Sequence, residues 1–401
     1  MAKKLISVWL ALTILLCSSI SIFAEETVTG TFFFREIRIN GTQIWNYELN
    51  RPFFLYNGVT YVPMSEGVQG AMGLQCEMDC ESRTLKILKT DITKKQVKDA
   101  ALANDMNDIK ATVVNDVKVV TYTSAPKETE ASVLIGEAAA GAVAAEAAGA
   151  GEAASIGVAA VEEAVAEMEA AGEETVIQPP VLIAHDLDLE GLPVMSYGGT
   201  LYLPLKALTD DPNLGISIYY ESYSGVYVST DPAVDAKSYW DEARYKYNKG
   251  LVSYIRKFNS SISVARAQEL VALFQHEARI HGLDETLLMA IAHRESTFNT
   301  DCRARSGATG IMQIMPRTAA GYGVQEWQLY DAHMNIKLGA KLISGQLAAY
   351  NGDMVKALSA YNQGSGRVNR GSYSTTYATK ILNQKETIVT YLTSNGFGLG
   401  K

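Results

Sequence analysis

Glu295 stands at the far end of an apolar helical run, and residues 295–316 read ESTFNTDCRARSGATGIMQIMP. A carboxyl group in that position has two reasons to keep its proton. The C-terminus of a helix carries partial negative charge, and burial disfavours the ionised form. A carboxylic acid still protonated near neutral pH can act as a general acid, which is what cleavage of a glycosidic bond requires. The same residues also accommodate a solvated Glu following Arg294, and spacing alone does not choose between the two readings.

The elements that would position this carboxyl are helices. Val264 to His281 carries an apolar stripe at Leu270, Val271, Leu273 and Phe274, and Gly282 ends it. Asp284 is a good N-cap for the next helix, whose core face is Leu287, Leu288, Ala290 and Ile291 and whose end holds Glu295. His276 and His281 lack metalloprotease spacing, and His293 lies two residues from Glu295, so none is assigned a ligand or base role. Cys302 has no evident paired base and is read as packing. Asp301 and Asp331 are the nearest candidates for a second carboxylate.

Several ordered motifs resemble the catalytic domain of the soluble lytic transglycosylases, lysozyme-like enzymes that cut the glycan strands of bacterial peptidoglycan. Glu295-Ser296 and Phe298-Asn299 match the family's first motif. Gly307-Ala308, Gly310-Ile311-Met312-Gln313 and Met315-Pro316 match its Gly-Ala-x-Gly-Leu-Met-Gln-x-Met-Pro stretch, with Ile for Leu. Asn335-Ile336 and Gly339 match the next, and Ala360-Tyr361-Asn362-Gln363-Gly364 matches Ala-Tyr-Asn-Ala-Gly, with Gln363 replacing Ala. Tyr377 sits where a family Tyr closes the site. The resemblance runs from Leu270 to about Val389. It implies Glu295 as catalytic acid, with Ser296, Gln313, Met315, Tyr361, Asn362 and Tyr377 in contact with substrate. It also implies cleavage of the bond between N-acetylmuramic acid and N-acetylglucosamine with 1,6-anhydro ends, without metal or organic cofactor. Two departures stand out. Ala304 occupies the place of a family Ser, and Thr300 replaces a Pro. The alternatives are a muramidase that uses water, and a wall-binding scaffold with little activity.

The rest of the chain sets the context. A basic start at Lys3-Lys4, a charge-free run from Leu5 to Phe23 and then Ala24 read as an export signal over residues 1–24. An uncleaved membrane anchor is the rival. The expected location is therefore extracellular, in the wall or envelope. Cys76, Cys80 and Cys302 remain after cleavage, too few for a disulfide framework. YNGVTYVPM (Tyr56 to Met64) recurs about 141 residues later as YGGTLYLPL (Tyr197 to Leu205), and each copy closes on an alternating strand, RTLKIL or GVYVS. The pattern resembles the copper amine oxidase N-terminal-like domain, although neither copy offers a His cluster for copper, and His185 is alone.

The expected architecture is multidomain: two small β-rich α+β modules, residues 26–95 and 179–232, then a connecting helix at 233–260 and a mainly α lysozyme-like catalytic domain at 261–401. Residues 96–178 are expected to be a linker. It carries an Ala/Glu/Gly-rich insertion, with a helix near Lys95 to Met106 and a strand near Val113 to Tyr122. The modules are expected to make wall or protein contacts. The net charge of −9 is carried by one stretch: residues 128–190 hold 14 Asp/Glu and no Lys or Arg, and the remainder is net +5. From Ile262 onward the balance is 14 basic to 10 acidic, mildly favourable for an anionic wall polymer. No dense basic run supports nucleic-acid binding.

Overall fold

In the computed structural model the described residues are 26–90, 97, 108–124 and 182–398. Residues 1–24, the whole Ala/Glu/Gly-rich stretch and, save Val97, the helix expected near Lys95 to Met106 lie outside them.

The N-terminal strands are β1 (Thr27–Phe32), β2 (Glu36–Ile39), β3 (Thr42–Ile44), β4 (Phe54–Tyr56), β5 (Val59–Pro63), β6 (Leu74–Asp79), β7 (Thr84–Lys89), β8 (Asp108–Val114), β9 (Lys118–Ser124), β10 (Leu182–Asp186), β11 (Val194–Tyr197), β12 (Thr200–Pro204), β13 (Ser217–Glu221) and β14 (Gly225–Ser229). Helix α1 (Glu66–Met72) follows β5, and α2 (Leu205–Asp210) follows β12.

The two recurring hairpins, β4-β5 and β11-β12, do not form separate modules. They pair with each other, Val62 opposite Leu203, inside one closed six-stranded barrel of order β1-β4-β5-β12-β11-β8. The exchange continues outside the barrel. Strand β2 of the first half pairs in parallel with β14 of the second, and β7 of the first with β9 of the second. Each half lends a strand to the other's sheet, so neither can close its ladders alone. The repeat legible at Tyr56 and Tyr197 is thus one interlocked body, and β8 and β9 belong to it although they fall inside the expected linker.

Packing follows from this pairing. Phe32, Phe54, Tyr61, Ile109, Met195 and Tyr202 form a buried barrel cluster, with the Phe54 and Tyr61 rings parallel at 5.3 Å. A larger cluster runs through both halves, from Ile37 and Ile87 to Val226 and Val228. Gly225 marks the seam: a Cβ there would lie 1.9 Å from the Glu36 carbonyl oxygen, a backbone clash that no rotamer relieves. Cys76 is a buried free thiol in this core and does not pair with Cys80.

The insertion has a definite address. In the first half β2 and β3 are joined by Asn40-Gly41, with φ of 50° and 76°, the left-handed values of a tight hairpin turn. In the second half the corresponding strands β9 and β10 end on the rung Ser124 opposite Leu182. Residues 125–181 therefore leave and return at one hairpin tip.

The helical part comprises α3 (Glu242–Phe258), α4 (Val264–His281), α5 (Glu285–Ser296), α6 (Pro316–Ala320), α7 (Ala332–Ala349), α8 (Met354–Gln363), α9 (Ser365–Asn369) and α10 (Thr376–Ser394). Helix α3 is not a connector: Leu251, Val252, Tyr254 and Ile255 are buried in the same core as α4, α5, α7 and α10. Its N-cap Asp241 accepts from Ala243 N and Arg244 N. No helix among the described residues is long and apolar enough to cross a membrane.

Replacing residues 125–181 by Asn-Gly should leave the barrel intact. The ladder already brings the strand ends together, and shortening the loop to two residues lowers its closure cost by about 3 kcal/mol. The thermal midpoint of the full chain should therefore hold or rise by several degrees; a collapse of the transition would show that the segment builds part of the body.

Candidate functional site

Helix α5 begins where the sequence predicts. The Asp284 carboxylate accepts from Thr286 N at 2.8 Å and pairs with Lys385 on α10 at 2.8 Å. The helix ends on two successive left-handed residues, Thr297 (φ 53°) and Phe298 (φ 62°). Neither is glycine, so the turn is strained. It is held by burial: the Phe298 ring is wholly buried near Tyr254 and Phe274. This turn fixes Glu295, two residues upstream.

The Glu295 carboxylate accepts a hydrogen bond from the Tyr377 hydroxyl, Oε1 at 2.5 Å. Burial raises its pKa above the ordinary carboxylate value. The Tyr377 bond and the Arg294 charge act against that rise. Burial and the neighbouring Glu295 push Tyr377 upward in turn, so its proton stays on the phenol.

Tied to the end of α5 through Ser296 is the segment 309–314, closed on itself by bridges from Thr309 to Arg303 and to Ile314. Three side chains pin two adjacent peptides of it. Ser296 Oγ donates to the Ile311 carbonyl at 2.7 Å. Tyr361 OH donates to the Met312 carbonyl at 2.9 Å. The fully buried Asn335 accepts from Met312 N at 2.9 Å and donates to the Thr309 and Leu329 carbonyls at 3.0 and 2.7 Å. Two glycines permit the approach. A Cβ on Gly310 would sit 2.1 Å from Asn335 Nδ2, and one on Gly339 would sit 2.3 Å from Met312 Sδ.

These contacts show what each of the expected site residues is bonded to within the protein. The hydroxyl protons of Ser296 and Tyr361 are committed to backbone carbonyls, so both side chains build the cleft. Gln313, itself left-handed at φ 50°, turns its amide nitrogen onto the Cys302 and Gly310 carbonyls at 3.0 and 2.9 Å. Only its Oε1 remains as an acceptor. Asn362 is exposed, and its amide has no protein partner among the described residues. Met315 is 42% exposed rather than core. Asp331 accepts from Met334 N as the cap of α7, and Asp301 is exposed.

Two positioning groups carry roles that their place in the motifs does not disclose. Asn335 falls in the Asn335-Ile336 match, but its bonds to the 309–312 backbone are long-range. Gln363, the departure from the family's Ala, clamps Ser374: its Nε2 donates to the Ser374 carbonyl at 2.6 Å and its Oε1 accepts from Ser374 N at 3.0 Å. Ser374 lies three residues before Tyr377, so this clamp sets the start of α10. Among the histidines, His293 is packed against Phe258 and bonded to the Tyr254 hydroxyl at 2.8 Å. No group of described residues has the makings of a metal site.

Residues 272–384 match the family model described as the transglycosylase SLT domain. A transglycosylase of Enterobacteria phage PRD1 is 36% identical over 102 residues, covering 25% of this chain and 37% of that protein. The soluble lytic murein transglycosylase of Escherichia coli strain K12 is 32% identical over 105 residues, covering 24% of this chain and 16% of that protein. The chain thus spans well under half the length of these curated relatives. Among solved structures, the lytic transglycosylase Slt of Pseudomonas aeruginosa aligns at 22% identity with a TM-score of 0.26, covering 42% of this chain and 34% of that one. The matched segment contains Glu295, the pinned segment and both tyrosines.

Proposed function

We propose that the protein is an exported peptidoglycan lytic transglycosylase, a lyase that cuts the MurNAc–GlcNAc β-1,4 bond and leaves 1,6-anhydro-MurNAc ends. The observation that carries this reading is the state of Glu295. It is a half-buried carboxyl with a raised pKa, one hydrogen bond from Tyr377 and Arg294 as its one charged perturber among the described residues. Enzymes that activate water or form a covalent intermediate use two carboxylates. Among the described residues no second carboxylate shifts the first, which favours a mechanism in which one group serves twice.

The steps follow from that economy. Glu295 gives its proton to the bridging oxygen, and the bond from muramoyl C1 to that oxygen breaks. The substrate's own N-acetyl group supports the positive charge developing at C1. Glu295, now a carboxylate steadied by Tyr377, takes the proton of the muramoyl C6 hydroxyl, and O6 bonds to C1. The acid is regenerated and no water is consumed. Asn362 and the Gln313 Oε1 are free to hold sugar hydroxyl and N-acetyl groups, and Met315 offers an apolar surface beside them. The substrate lies outside the cell membrane, which agrees with the export signal read at residues 1–24.

Glu295→Gln should lower release of anhydromuramoyl fragments from purified walls by at least about 10²-fold, the lower range for loss of a general acid. Mass spectrometry of the soluble products reads this directly. Reducing muramic acid ends from the wild type would instead establish hydrolysis.

Tyr377→Phe removes a bond that favours the ionised form, so the Glu295 pKa should rise further. Activity needs the protonated acid and declines as pH climbs through that pKa. The alkaline limb of the pH–rate profile should therefore move to higher pH, while kcat at the optimum falls about tenfold, the scale of one charge-assisted hydrogen bond. An unmoved limb would deny the coupling.

Gln363→Ala should act through Tyr377. It should lower kcat by roughly threefold to tenfold with little change in KM, and shift the alkaline limb in the same direction. A change in KM alone would make Gln363 a substrate contact instead.

A further inference from the structure

A second cleft lies where the β body meets the helical part. It has a volume of about 370 Å³ and runs between the segment 34–47, helices α3 and α4, and the start of α5 at Glu285. That volume falls within the range of small-ligand sites. Helix α5 spans the distance between the two sites: Glu285 lines this cleft and Glu295 is the acid, ten residues or about 15 Å along the helix axis.

The junction is built with some care. Buried Asn46 donates to the Phe33 and Phe53 carbonyls at 3.0 and 2.9 Å and accepts from Phe53 N at 2.7 Å. This locks the turn that presents Trp45, Tyr47 and Glu48 to α4. The Arg279 guanidinium lies 3.8 Å from the centre of the Trp45 ring and pairs with Glu48. Tyr47 stacks on His276 with ring centres 4.5 Å apart.

Most charges around the cleft are already answered. Glu36 is met by Arg38 at 2.8 Å, by the Tyr227 hydroxyl at 3.0 Å and by Arg244 at 3.8 Å. Glu285 accepts from the Tyr247 hydroxyl at 2.8 Å, and Asp241 caps α3. Arg35 is the exception. Its Nη2 reaches only the neutral Gln268 amide at 3.3 Å, and no carboxylate pairs with it among the described residues. Its Nε is buried without a hydrogen-bond partner. So are the Tyr47 hydroxyl and the Nδ1 of His276, a residue only 8% exposed. Three unsatisfied polar atoms around one cavity are unusual, because buried polar groups are nearly always paired. Water can serve such atoms, but the guanidinium has only the Tyr220 ring, 5.9 Å from its carbon to the ring centre, beside its charge, and no anion meets it among the described residues.

We propose that this cleft is a second wall-binding site, taking a carboxylate-bearing stem peptide of peptidoglycan, with Arg35 receiving the carboxylate and Tyr47 and His276 bonding its amides. This rests on the wall being the substrate. Arg35 presents two N–H groups in a fixed fork, the geometry that matches a carboxylate. Burial depresses the His276 pKa to about 4, so the ring is neutral at wall pH and can accept from or donate to a peptide group. A peptide held here would keep its glycan strand near the catalytic end of α5 between cuts.

The test uses the full chain carrying Glu295→Gln and, as probe, N-acetylmuramoyl-L-alanyl-D-isoglutamine, titrated calorimetrically beside its C-terminal amide. The acid should bind at least tenfold more tightly than the amide. Arg35→Gln should remove that preference and Arg35→Lys should restore part of it. Ala272→Trp, which fills the cleft from α4, should weaken both forms. Equal binding of acid and amide, no binding of either, or indifference to both Arg35→Gln and Ala272→Trp would overturn the proposal. Wall cleavage by the wild type is read in parallel. Anhydro ends without peptide binding would sink the cleft alone; peptide binding without anhydro ends would sink the transglycosylase reading and leave the cleft standing.

Discussion

The pinning of two peptide units, Ile311 and Met312, is the constraint on which the rest of the site depends. Ser296, Tyr361 and Asn335 reach them from three different helices. Each bond satisfies a backbone group that would otherwise be buried without a partner, at a cost of about 1–3 kcal/mol. The consequence is geometric. The segment carrying Ile311 and Met312 cannot shift relative to α5, α7 or α8 without breaking one of these bonds, so its place beside the end of α5 is fixed. Gly310 and Gly339 follow from the same requirement, since each leaves a space that the pinning side chains or Met312 occupy.

Against this rigid wall the acid is held in balance. Burial drives its pKa upward, while Tyr377 and Arg294 moderate the rise. A fully stabilised carboxylate would be ionised at neutral pH with no proton to give, and a fully desolvated one would hold its proton too tightly to give it up. A single bond from a phenol that keeps its own proton gives an intermediate state. The orientation of Tyr377 is set from outside the cleft, by Gln363 gripping the peptide of Ser374 at the entry to α10. The geometry of Glu295 and Tyr377 thus descends from backbone contacts one layer behind them.

What the sequence disclosed was what local chemistry dictates. The Asp284 cap, the Gly282 stop and the placement of Glu295 near a helix end all follow from short-range rules, and the structure has them there. The roles of Ser296, Tyr361 and Gln313 were harder, because a hydroxyl or amide in a motif does not announce whether its proton goes to a sugar or to a carbonyl far along the chain. The repeat was visible at Tyr56 and Tyr197, yet its interlocking was not. Periodicity reports which residues face inward, whereas the choice of partner strand is a long-range matter: Val226 beside Ile37 pairs residues from opposite ends of the body. The same limit made a linker of residues that contain β8 and β9, and a connector of α3, whose Tyr254 and Ile255 are wholly buried.

The interlocked body also explains how an acidic segment can be inserted at little cost. Strands β9 and β10 are held by the Ser124–Leu182 rung and, through β9, by the parallel pairing with β7. The hairpin does not rely on a tight turn for its register, unlike β2 and β3, where Asn40-Gly41 does that work. Chain added at this tip pays only a slowly growing closure entropy. The face that cannot tolerate such change is the one holding Asn46, because its three hydrogen bonds fix Trp45, Tyr47 and Glu48 against α4. Helix α4 packs against α5 and α7 in the core that holds Phe298 and Ile336. The β body is therefore continuous, through packed side chains, with the turn that fixes Glu295 and with the helix that supplies Asn335.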